Sequence, residues 1–204
     1  MNYTFNSIYF KNEDKEVLNS FFKKPEVRNE LSRNNLSEVY ELMWSENPVD
    51  SSYTTPLLTK FFTECGIDVL MYTDVILPYM FCATDLIEIH LPEHLEHRIP
   101  EMAFANTDIT EITIPGKIEF ISKRAFYLCI YLNKIVMEEG VKELHPMCFY
   151  RIAKPANIYM PDSLTYIAPD IITDSSKDYI TFHCHKDTLA EAWCKEGGFI
   201  CHVI

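Results

Sequence analysis

The sequence predicts an α/β repeat fold: a solenoid of short parallel strands, preceded by a small helical N-terminal subdomain. Three observations carry this. Apolar residues recur at steps of 22 or 23 residues from Ile76 onward. Each period holds one alternating, strand-like stretch. Before Ile76 the apolar residues follow helical spacing and show no such period.

The repeat begins with Ile76, Ile99, Ile121, Leu144 and Ile167, at steps of 23, 22, 23 and 23 residues. Five positions later stand Phe81, Phe104, Phe126, Phe149 and Ile172. Strand-like pairs follow: Ile89 and Leu91, Ile112 and Ile114, Ile135 and Met137, Ile158 and Met160. Proline closes three of them, at Pro92, Pro115 and Pro161. A last apolar column runs through Leu95, Ile118, Val141 and Leu164. A period of roughly 20–29 residues with L-x-x-L-x-L spacing is the signature of leucine-rich repeats. One such unit cannot bury its own apolar side, but stacked units share a continuous core and their strands form a parallel sheet. The repeat domain is therefore assigned to residues 75–204, with units starting near 76, 99, 121, 144 and 167. The phenylalanine column is expected to form a ladder inside the stack.

Residues 1–74 are assigned to a helical cap. Val17, Leu18, Phe21 and Phe22 share one helix face. Pro25 suits the first turn of a second helix. Ser37 precedes Val39, Tyr40, Leu42, Met43 and Trp44, and Leu57, Leu58, Phe61 and Phe62 mark another helix before Gly66. Its aromatic residues exceed what so small a set of helices buries, which leaves room for a homodimer.

The chain has 204 residues, 48% apolar and 24% charged, as a folded globular protein does. Glycine is scarce, at 5 residues, so Gly-rich phosphate loops are not expected. A net charge of −12 disfavours direct binding to nucleic acid or to anionic membranes, both of which need a basic surface. Met1 to Phe10 lacks a basic region followed by an apolar one, and no apolar run is long enough to span a membrane. The seven cysteines are then expected as reduced thiols in a cytoplasm.

Strand alternation places the partner-facing residues. With Ile89 and Leu91 inward, the outward columns are Glu88, Glu111, Lys134 and Asn157, then His90, Thr113, Val136 and Tyr159. A C-terminal cluster of His183, Cys184, His185, Cys194, Cys201 and His202 raises the question of zinc, with His183, His185, Cys194 and His202 as the candidate set. Its spacing is not that of a zinc finger, and Cys184 should face away from His183 and His185. No metal or other cofactor is therefore expected. Cys129 and Cys148 fall inside repeat turns and are expected as small buried side chains. Glu138 and Glu139 stand where other units carry proline and are expected in a turn. No phosphate-loop, dinucleotide, GxSxG, HExxH or EF-hand motif is present, so no enzyme activity is expected.

The units resemble the BspA-like subfamily of leucine-rich repeats, whose unit reads Ile-x-x-x-Ala-Phe, a cysteine or asparagine, then Leu-x-x-Ile-x-Ile-Pro. Ile99 to Phe104, continued through Ile109, Ile112, Ile114-Pro115 and Ile118, is similar to that unit. So is Ile121 to Phe126 through Cys129, Leu132, Ile135 and Val141. The stretch from Thr188 to Phe199, with Trp193 at its centre, resembles the short helix that ends such arrays. The unit at Ile167 departs, with Ile171-Ile172 in place of Ala-Phe and a strand shifted by one residue. The resemblance implies a protein-interaction module and leaves its partner open. Members occur on bacterial surfaces and in phage genomes. The readings carried forward are an intracellular interaction module, a phage or mobile-element inhibitor of a host nuclease or defence complex acting in the host cytoplasm, and a surface adhesin fragment.

Overall fold

The computed structural model describes residues 76, 78–95 and 97–204, together with residues 23, 25, 28, 29 and 70. The chain divides into two units, Met1–Thr73 and Asp74–Ile204. In the first, Pro25, Arg28 and Asn29 have helical backbone and lie exposed, and Leu70 is buried. The helices expected around residues 15–22, 37–44 and 55–65, and the cap they would build, lie outside the described residues.

In the second unit the strands follow one another as β1 (His97–Ile99), β2 (Glu111–Ile114), β3 (Ile118–Ile121), β4 (Lys134–Met137), β5 (Glu143–Leu144), β6 (Ala156–Tyr159), β7 (Tyr166–Ile167), β8 (Ile180–Cys184) and β9 (Ile200–Val203). They form two parallel sheets. One has the order β1-β3-β5-β7 and the other β2-β4-β6-β8-β9. The sequence reading expected one strand per period. The structure has two, because the chain also runs extended between the columns headed by Ile118 and Ile121. These second strands are only two to four residues long, and the last residue of each is turned inward, as is Ile121 of β3.

Register follows the repeat. Ile112, Ile135 and Ile158 pair in sequence across β2, β4 and β6. The next partner is Phe182, so the last coil is one residue longer. The first coil differs from expectation. Residues 84–92, which hold Glu88 and His90, form no strand, and the five-stranded sheet starts at Glu111. A bond from the Thr110 N–H to the Ile87 carbonyl joins this stretch to the next coil.

The phenylalanine ladder is present. Phe81, Phe104, Phe126 and Phe149 stack ring on ring with centroids 5.0, 5.2 and 5.6 Å apart. Phe104, Phe126 and Phe149 are fully buried. The turns around the ladder carry two left-handed residues per coil: Tyr79 and Ala83, Met102 and Asn106, Arg124 and Leu128, Met147 and Arg151. Positive φ is uncommon outside glycine, and here backbone bonds between coils hold it. The N–H of Ala83 bonds to the Ala105 carbonyl, that of Asn106 to Tyr127 and that of Leu128 to Tyr150. Three residues after the ladder position stands a small side chain that bonds inward. Thr84 and Thr107 donate to the Phe81 and Phe104 carbonyls of their own coils, and the Cys129 thiol donates to the Phe104 carbonyl of the preceding coil at 3.0 Å. Cys129 and Cys148 are buried as expected, and burial pushes both thiols above their ordinary range.

The acidic pair does form a turn, and its carboxylates close it. Glu139 accepts from the Asp162 and Ser163 N–H groups of the next coil at 2.8 and 3.1 Å, while Glu138 accepts from Gly116 of the previous coil. At the other end, helix α1 (Leu189–Gly197) starts at Thr188, whose hydroxyl accepts from the Glu191 N–H, and ends at Gly198, which adopts φ 67°. Trp193 and Phe199 pack edge-on against Phe182 and finish the core. Strand β9, which the sequence reading did not foresee, follows α1 and pairs parallel with β8.

Candidate partner-binding face

Alternation along β2, β4, β6, β8 and β9 turns one set of side chains into the core and the other outward. Two outward columns result. The first runs Glu111, Lys134, Asn157, Thr181 and Ile200; the second runs Thr113, Val136, Tyr159, His183 and His202. Glu111, Thr113, Lys134 and Asn157 are exposed, and Val136 and Tyr159 half-buried. Glu88 and His90 are also exposed, yet the stretch that holds them forms no strand of this sheet. The columns therefore bring together six of the eight residues selected from sequence. They add Thr181, His183, Ile200 and His202, which the shifted register and the unforeseen β9 had hidden.

The two ends of the face differ in chemistry. At the β2 end Lys134 pairs with Glu111 at 3.1 Å, and both are well exposed. Such pairs contribute little to stability, about 0–1 kcal/mol. At the β8 end the face is aromatic. The His183 ring stacks on Tyr159 at 4.3 Å and meets His202 edge-on at 5.5 Å. Its Nε2 lies 2.9 Å from the Asn157 side-chain oxygen.

Beside the start of β4 and β6 the face opens into a shallow groove of about 430 Å³, lined by Ile130, Tyr131, Asn133, Ala153, Lys154, Pro155 and Asn157. Ile130 and Tyr131 are 56% and 52% exposed and stand side by side. Next to the groove Lys154 sits 5.7 Å over the ring of Tyr179, which is 55% exposed. Sequence reasoning missed these three apolar residues. A signal was present: Phe104 and Ile112 are eight positions apart, Phe126 and Ile135 nine. Ile130 and Tyr131 lie exposed in that longer turn.

The zinc set is not assembled. His183 and His202 lie on the outer face, Cys194 lies in the core, and His185 bonds to Asp162 at 2.8 Å. Cys184 does face inward, opposite to His183, as alternation requires. Among the described residues no group of three His, Cys, Asp or Glu is placed to hold a metal ion.

A repeat of this period, with two parallel sheets and an internal phenylalanine ladder, agrees with the family profile that matches residues 74–193, described as BspA type leucine rich repeat region in six copies. The chain belongs to the BspA-type leucine-rich-repeat family. No curated protein and no solved structure matches it. The six copies compare with five units read from the apolar columns. BspA-type repeats are in general interaction modules and typically non-enzymatic. Among the described residues of this BspA-type chain, no helix is long and apolar enough to cross a membrane.

His183 gives the face a pH dependence. Partial burial, and then the neighbouring His202, hold its pKa below the ordinary 6.5. The unfolded chain then binds more protons than the folded one near that value, so stability rises with pH there. The contribution is complete above about 6.5 and is lost as pH falls towards the folded pKa. We expect an NMR titration of His183 to show a midpoint below 6.5. His202→Gln should raise that midpoint only in part, because burial is the larger cause. A midpoint at or above the ordinary value would remove the argument.

Proposed function

We propose that the protein is a non-enzymatic interaction module that holds a second protein against the outer face of the five-stranded sheet. The observation that carries this reading is the continuity of the aromatic end of the face with the groove. Tyr159, His183, Tyr131 and Ile130 offer apolar contact area, and Asn133, Asn157 and Lys154 offer hydrogen bonds beside it. Interfaces draw most of their energy from such aromatic anchors within a polar rim. We propose further that it acts inside the cell, with neither nucleic acid nor a membrane surface as the direct partner.

A second reading rests on charge. At −12 the chain suits a partner with a basic surface. A nuclease or another nucleic-acid-handling defence complex of a host cell presents such a surface, so an inhibitor encoded by a phage or mobile element is the runner-up.

Affinity capture with the full chain, read by mass spectrometry, tests both. The wild type should recover one saturable partner. The double change Tyr131→Ala, Tyr159→Ala should weaken its binding about thirtyfold or more, equivalent to about 2 kcal/mol or more. Glu119→Gln with Lys142→Gln, an exposed pair on the other sheet, should leave it intact. Equal loss in both variants, or in neither, would place the interface elsewhere. A neutral partner surface would count against the inhibitor.

A further inference from the structure

Among the described residues strand β9 is the outermost strand of its sheet and pairs with β8. Three cysteines meet beneath it. Cys184 at the end of β8 and Cys194 on α1 are buried, and Cys201 on β9 is partly exposed. The sulfurs of Cys184 and Cys201 lie 3.1 Å apart, and Cys194 adjoins both. Two unbonded sulfurs do not ordinarily approach so closely. A disulfide requires that they close to about 2.05 Å, with the two Cα atoms drawn to within about 7 Å. Phe182 is the register partner of Cys201, and Cys184 lies two residues beyond Phe182 on the same inward face. The pair is thus diagonal across two hydrogen-bonded strands, a Cα spacing of about 7–8 Å, and closure draws the edge strand β9 slightly along β8.

We infer that Cys184 and Cys201 form a reversible disulfide that fastens the edge strand β9, and the α1 segment between them, to the repeat core. The site lies outside the proposed binding face and does not depend on it. Exposure sets the order of events. Burial pushes the Cys184 thiol up to about 12 and raises that of Cys194 as well, so neither reacts first. Cys201 is the thiol that a small disulfide such as oxidised glutathione reaches. Its thiolate attacks one sulfur of that disulfide, and one glutathione thiolate leaves and takes up a proton. Cys184 then gives up its proton and attacks the Cys201 sulfur, and the second glutathione departs as a thiol. Two protein thiols are oxidised and one disulfide is reduced to two thiols. A glutathione-reducing cytoplasm keeps the bond open, and an oxidising compartment closes it.

The test uses the reduced full chain, incubated with oxidised glutathione, alkylated and mapped by peptide mass spectrometry. The expected product is a Cys184–Cys201 linked peptide pair with no glutathione retained. Hydrogen exchange across β9 should slow about tenfold or more on closure, because opening of an edge strand sets its exchange rate. Cys184→Ser should leave Cys201 as a stable glutathione adduct, and Cys201→Ser should give no link to Cys184. The inference is overturned if oxidised wild type keeps Cys201 as a glutathione adduct, links Cys201 to Cys194 instead, or leaves both thiols free.

Discussion

Phe126→Ala is expected to destabilise the repeat domain by about 3–5 kcal/mol, the range for removing a buried aromatic ring from a packed core. Phe126 is fully buried and sits between Phe104 at 5.2 Å and Phe149 at 5.6 Å, so the truncation breaks two ring stacks and leaves a cavity. Its coil also cannot collapse into that cavity easily. The Phe126 N–H bonds to the Cys148 carbonyl, and the flanking left-handed residues Arg124 and Leu128 are bonded to Pro146 and Tyr150. In urea the midpoint should fall by about 1–3 M, given the usual slope for a domain of this size. Phe126→Leu keeps most of the volume and should cost about 1–2 kcal/mol. In a repeat array each coil is stabilised chiefly by its neighbours. The loss at a central coil should therefore exceed that of Phe81→Ala, at the described start of the ladder. A midpoint unchanged by Phe126→Ala would mean that the ladder does not hold the array together.

The ladder was legible in the sequence because its period is strict and its residue type nearly constant. The outward columns were legible because β-strands alternate, so that fixing Ile112 and Ile135 inward also fixed Glu111 and Lys134 outward. The second sheet was not legible. Val141 and Leu144 are three positions apart, a spacing that suggests a turn or helix and not a strand of period two. The short strand there exists because its neighbours in the stack supply partners at Phe120 and Tyr166 for Glu143. A tertiary partner of this kind leaves no mark on local pattern. Tyr131 and Tyr179 were missed for a related reason. Their exposure follows from where a longer turn goes after the core positions are satisfied. The charged end of the face was easier to read than the aromatic end, because charge goes outward by default and aromatic residues do not.

Glycine was the other silent feature, and it gives the second large effect. The chain has few glycines, yet Gly116 and Gly140 fall in the same turn of consecutive coils and touch through their backbones. A Cβ on Gly140 would overlap the Gly116 carbonyl oxygen, and one on Gly116 would overlap the Glu139 carbonyl oxygen. Gly140 also adopts φ 116°, a conformation that L side chains rarely take. Gly140→Ala therefore adds backbone strain of about 1–3 kcal/mol. The overlap with an immovable carbonyl adds a comparable overpacking cost, about 1–3 kcal/mol. The sum, about 2–6 kcal/mol, should lower the thermal midpoint by about 6–24 °C, at about 3–4 °C per kcal/mol for a domain of this size. Gly116→Ala shares the overlap without the positive φ and should cost less. Relief is not available locally, because the Gly140 N–H is held by the Ser163 hydroxyl at 2.8 Å and Glu139 is bonded to the next coil. The strain should consequently spread to the spacing between coils and loosen the register of β4 on β2, seen as faster hydrogen exchange at Ile135 and Met137. Gly198→Ala is the contrast: its φ is also positive, but no atom lies within 4 Å of the added carbon. If both alanine variants lost the same stability, overlap between coils would contribute nothing, and strain alone would set the cost.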